Sequence, residues 1–138
     1  MRNKIFTKFF ERKNYATAKK LYKREADNGN PAAMYKMGEI YDQGLGEWFA
    51  DKTRAFRYYR MAADLELPEA IFKVGEFYEH GMGNTAKNEK TALQWYKRGA
   101  ELNHLPCLVK IGIFYENGIA GLERNQDTAL TYYLRSAD

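Results

Sequence analysis

Val74-Gly-Glu-Phe-Tyr-Glu-His-Gly-Met-Gly83 gathers three glycines, two acids and a histidine into one short stretch. Clustered glycines can free backbone amides for a phosphate. Glu76 and His80, four residues apart, would share one face of a helix and could offer two ligands to a metal. The rest of the inventory argues against both. His80 and His104 are the only histidines, and Cys107 is the only cysteine. A stable metal site needs more donors than that pair supplies. Cys107 falls in a column of small residues, which reads as an inert core thiol. Glu79 and Glu116 read as helix-surface carboxylates with no evident acid/base partner. No catalytic, cofactor or metal site is expected, and the chain reads as non-enzymatic.

The same stretch also recurs, as MGEIYDQGLG at 37–46 and IGIFYENGIA at 111–120. The period is 37 residues. It aligns Gly38, Gly75 and Gly112, then Tyr41, Tyr78 and Tyr115, then Gly44, Gly81 and Gly118. Two alanine columns follow the same step, Ala18/Ala55/Ala92/Ala129 and Ala26/Ala63/Ala100/Ala137. A period of this length is the mark of a stacked array.

Each unit reads as two helices. Helix A is expected over about 32–43, 69–80 and 106–117. Pro31, Pro68 and Pro106 stand at its entry, where a missing amide costs nothing. Gly44, Gly81 and Gly118 stop it by taking the left-handed conformation cheaply. Helix B starts after Asp51, Asn88 and Asn125, whose side-chain oxygens suit an N-cap. Glycine at 38, 75 and 112 costs about 1 kcal/mol inside a helix. Its repetition implies close packing of helix B, with Ala55, Ala92 and Ala129 the expected facing residues.

The chain has 138 residues and a net charge of +4. That length supports a single domain with a real core. Arg2, Lys4, Lys8, Arg12, Lys13, Lys19, Lys20, Lys23 and Arg24 stand against Glu11 alone near the start. This basic segment is either a solvated cap or a contact for an acidic partner or nucleic acid. Phe6, Phe9, Phe10, Tyr15 and Tyr22 are interleaved with it, which suits base stacking but also suits a core-facing helix side. No apolar run reaches the length of a signal peptide or membrane helix. The expected location is cytoplasmic, with no membrane partner and with nucleic acid the minority alternative.

The spelling A-x-x-x-[apolar]-G-x-x-Y-x-x-G-x-G, as Ala33 to Gly46, followed by A-x-x-[W/Y]-Y-x-x-[A/G]-A, as Ala92 to Ala100, resembles the Sel-one-like repeat (SLR), a tetratricopeptide-like unit. The resemblance covers about 32–138 as units 32–68, 69–105 and 106–138, after an N-terminal cap or partial repeat at 1–31. It implies an all-α, right-handed α-α solenoid with a concave face lined largely by first helices. It also implies a protein-binding adaptor or scaffold. Small bacterial proteins of this kind include immunity proteins that neutralise a cognate toxin, and signalling adaptors.

Function is then expected in what varies over the repeated frame. On helix A, Lys36/Glu39/Gln43, Lys73/Glu76/His80 and Lys110/Ile113/Asn117 form successive stripes, read either as a peptide groove or as ordinary solvated pairs. Trp48 and Phe49 replace Thr85-Ala86 and Leu122-Glu123 of the equivalent loops. They are either an exposed anchor or local core. Leu130, Tyr133, Leu134 and Ala137 would present an uncovered seam at the last helix, to be covered by more chain, by a partner or by self-association.

Overall fold

The computed structural model describes the backbone of residues 4–46 and 49–138, with side chains from Lys13 onward. The described residues are all-helical. The helices are α1 (Lys4–Asp27), α2 (Pro31–Gln43), α3 (Lys52–Asp64), α4 (Pro68–His80), α5 (Glu89–Glu101), α6 (Leu105–Asn117) and α7 (Gln126–Ala137). Each packs on its neighbours in the chain, α2 on α3, α4 on α5 and α6 on α7, and the pairs stack on one another as a solenoid. We call α2, α4 and α6 the A layer and the remaining helices the B layer.

The caps expected from sequence are in place. Asp51, Asn88 and Asn125 accept from the amides of Arg54, Thr91 and Thr128, each at 3.0 Å. Gly44, Gly81 and Gly118 close the A helices with φ of 68°, 68° and 66°. Asp51, Asn88 and Asn125 also donate their amides back to the carbonyls of Tyr41, Tyr78 and Tyr115 at 2.8, 2.8 and 2.9 Å. The tyrosine column thus sits at the carbonyl that pins every loop. Ala120 takes φ 62°, a conformation that costs an alanine about 1 kcal/mol or more, where Gly83 takes 61° in the preceding loop.

The N-terminal unit is one unbroken helix from Lys4, because neither glycine nor proline intervenes before Gly29. One expectation is corrected. The partners of the helix-interior glycines are tyrosines and not the alanines. A Cβ on Gly38, Gly75 or Gly112 would lie 2.5, 2.5 or 2.4 Å from a ring carbon of Tyr59, Tyr96 or Tyr133. Removing the side chain lets an aromatic ring lie flat on the backbone of helix A. Ala55, Ala92 and Ala129 are buried as well.

The core repeats with the frame. Met37/Val74/Ile111 and Ile40/Phe77/Phe114 are buried columns, and each such side chain adds about 1.5–3 kcal/mol by leaving water. Phe77 meets Tyr59 edge-on at 5.7 Å, and Phe114 meets Tyr96 likewise at 5.7 Å. Cys107 replaces the alanine of Ala33 and Ala70. Its sulfur would lie 2.3 Å from a Cβ on Gly99, the position held by Ala62 one unit earlier. Bulk lost from one side of the seam is added on the other. Burial pushes the Cys107 thiol up to about 12, so it remains a protonated core residue.

Candidate functional site

The A-layer helices place the expected stripes on one surface. Lys36 pairs with Glu39 at 3.2 Å and Lys73 with Glu76 at 3.5 Å, each three residues apart on a single helix. In the third unit Ile113 stands where the acid would be. Lys110 therefore turns to the preceding unit and meets Glu79 at 3.1 Å. Gln43, His80 and Asn117 are exposed at the helix ends. Asn117 donates to the Ile113 carbonyl at 3.1 Å, and His80 Nε2 lies 3.7 Å from Glu79.

Glu79 is not the partnerless carboxylate that the sequence suggests. Tyr96 donates its hydroxyl to it at 2.6 Å, and Tyr59 donates to Asp42 at 2.9 Å. Tyr133 does the same to Glu116. Asp42, Glu79 and Glu116 lie 37 residues apart, as do their tyrosines. The tyrosine that fills the glycine gap thus also locks an acid at the rim. Burial, then these carboxylates, raise the Tyr59 and Tyr96 hydroxyls above the ordinary tyrosine range, so they remain donors.

Sequence reasoning missed one column of this surface. Tyr35, Phe72 and Val109 precede the lysines by one residue and share their period. That signal was available, but apolar residues beside a buried stripe read as core. Tyr35 and Phe72 are half-buried and Val109 is exposed. Tyr35 packs tilted against Tyr59 at 5.4 Å, and Phe72 lies 5.9 Å from His104. Burial, with Glu39, Glu69, Glu76 and Asp42 adding to it, pushes the Tyr35 hydroxyl up to about 12. Burial lowers His104, against a smaller upward pull from Glu69, and this favours the neutral ring.

At the α4–α6 end the same surface opens into a depression of about 380 Å³. Phe72, Leu105, Val109 and Ile113 line it, with Lys110 and Ser136 as polar members. Leu105 and Val109 are 50% and 37% exposed. Among the described residues no group of three or more His, Cys, Asp or Glu could hold a metal, and no helix is long and apolar enough to cross a membrane.

Of the loop aromatics, Trp48 lies outside the described residues. Phe49 is 85% exposed, so it builds no local core. In the basic segment Tyr22 packs against the core. Lys19 and Arg54 lie over Tyr41 at 4.5 and 5.6 Å, and Arg60 and Arg98 both lie over Trp95 at 4.9 Å. These two rings, Tyr41 on α2 and Trp95 on α5, are already covered by the protein's own cations. Leu130 and Leu134 are exposed on α7.

Comparison with known proteins places this architecture. The model of the Sel1 repeat matches residues 10–30, 31–67, 68–104 and 106–138. A Sel1 repeat protein from Oxalobacter formigenes is 35% identical, with a TM-score of 0.74, over 78% of this chain and 43% of that one. The protective antigen c5321 of uropathogenic Escherichia coli, which displays an SLR fold, is 30% identical, with a TM-score of 0.82, over 89% of this chain and 26% of that one. The chain thus spans less than half the length of either. Cysteine-rich protein B of Helicobacter pylori, at 21% identity and a TM-score of 0.62 over 86% of this chain and 88% of its own, shares the fold. No curated protein matches. Four matched units and two similar Sel1 structures give one conclusion: the chain belongs to the Sel1 repeat family.

Proposed function

We propose that this chain is a non-enzymatic protein-binding module that takes its partner along the A-layer surface. One observation carries the reading. The Gly–Tyr–carboxylate seam is spelled alike in all three units, while the adjoining surface changes from Tyr35 and Glu39 through Phe72 and Glu76 to Val109 and Ile113. A frame that repeats beneath a face that does not is how a scaffold acquires one specificity. The specific form we favour is a single dedicated partner, a toxin held inactive by stoichiometric binding, as an immunity protein would hold it.

The test is affinity capture from native lysate at low and high salt, using the native chain and the Glu39→Lys/Glu76→Lys variant. One stoichiometric, salt-resistant protein that the variant loses by about tenfold or more supports the reading. A toxic domain in that protein supports the immunity form, whereas several weaker partners support an adaptor. Recovery of nucleic acid alone, washed away by salt, would overturn it and move the activity to the basic α1.

A further inference from the structure

The protein-binding reading leaves the chemistry of the partner open, and the α4–α6 end of the surface narrows it. The depression there has room for one large side chain. It is walled by Phe72, Leu105, Val109 and Ile113, and two of these keep much of their area in water. An apolar socket on an otherwise charged surface is a recognition feature.

Its rim has a sign. Glu69 lies three residues before Phe72 on α4, one turn away on the same face. It is exposed in the first turn of α4, and it acts on the ionisation of His104, the ring that packs on Phe72 at 5.9 Å. Glu39 and Glu76 are tied to lysines on their own helices, and Glu79 is tied to Lys110. Glu69 has no ion-pair partner among the described residues. An exposed carboxylate without an ion pair, on the helix face that carries Phe72, favours a cation beside an apolar group. It repels a phosphate backbone or an anionic lipid surface.

We propose that this surface binds a protein segment that seats one bulky aliphatic or aromatic side chain against Phe72, Val109 and Ile113 and brings a lysine or arginine to Glu69. The proposal rests on the protein-binding reading and adds the partner's chemistry to it. The apolar residue supplies most of the affinity, and the basic residue sets direction and selectivity.

The probe is a library of random short peptides displayed on phage and selected on the immobilised, folded chain. Enriched peptides are then made synthetically and measured by fluorescence anisotropy. The expected consensus is a Leu, Ile, Phe, Met or Trp within one helical turn of a Lys or Arg. Val109→Glu, at an exposed position, should weaken binding by about tenfold or more. Glu69→Lys should weaken it by roughly threefold to tenfold, and exchanging the peptide's basic residue for glutamate should recover part of that loss. Thermal melts of both variants check that they remain folded. The absence of enrichment, a consensus without a basic residue, or unchanged affinity in both variants would overturn the proposal. If lysate capture yields a stoichiometric protein whose binding ignores both substitutions, protein binding stands and this chemistry falls. If capture yields no protein, the broader reading has failed.

Discussion

The seam between paired helices and the face of the A layer are a few ångströms apart and obey opposite rules. In the seam, each unit sets a tyrosine ring against a glycine and ends that tyrosine's hydroxyl on an acid, as at Gly75, Tyr96 and Glu79. Between units too, where Cys107 of α6 replaces an alanine, Gly99 of α5 changes in compensation. On the face, Tyr35, Phe72 and Val109 differ in size and chemistry, and Ile113 stands where Glu39 and Glu76 stand. Compensation of this kind is found where atoms are close-packed, since interiors tolerate little change in local volume. Where one side is solvent, each unit is free to differ, and a binding specificity can accumulate without cost to the stack.

The largest effect that would sharpen this contrast is at Tyr96. Tyr96→Ala removes a fully buried ring and leaves a cavity, and should cost about 3–5 kcal/mol in a urea titration. Equal stability of the variant would mean that the seam does not hold the stack. Next is Gly75→Ala. The new Cβ meets a buried ring, so a loss of about 1–3 kcal/mol should override the roughly 1 kcal/mol that alanine gains inside a helix. Gly112→Ala, whose Tyr133 ring is only half-buried, should lose less. If the two losses were equal, burial of the opposing ring would not be the cause.

Alkali gives a third separation. The folded pKa of Cys107 is raised from 9.0 to about 12, and those of Tyr59 and Tyr96 are also raised above the ordinary 10.0. Groups of this kind stabilise fully below their unfolded values. They lose that contribution as pH rises toward their folded values. Stability should thus fall by about 2 kcal/mol between roughly pH 8 and pH 10, and Cys107→Ala should remove much of the slope. A flat profile would contradict the buried, neutral seam. The smallest effect is on the face. Glu39→Lys/Glu76→Lys should shift stability by less than about 0.5 kcal/mol while weakening partner capture. A large loss of stability would place these acids in the frame.

Much of the frame was legible in the sequence because each unit punctuates itself. Asp51, Asn88 and Asn125 announce helix starts, and Gly44, Gly81 and Gly118 announce stops. A chemical reason within a few residues fixes each. The facing residue of Gly38, Gly75 and Gly112 was not legible in this way. Two alanine columns and two aromatic columns on helix B share the period, and only three-dimensional packing selects the tyrosine. The role of Asp42, Glu79 and Glu116 was hidden for a related reason. An acid on a polar helix face looks solvated until the hydroxyl 17 residues away is brought to it. Lys110 shows the limit most plainly. Its period predicts a partner at 113, and the loss of that acid sends it across to another unit.

Each helix rests on its chain neighbours, and the ties between units, such as Lys110 to Glu79 and Arg98 to the Ala63 carbonyl, reach one unit back. No strap runs from one end of the stack to the other among the described residues. A load applied at the two ends is therefore borne in series. Under tension such a molecule yields unit by unit, as a coil spring parts its turns, and each released pair of helices lengthens it by a similar step. The chain can give under force at one end while the surface of the remaining units keeps its shape.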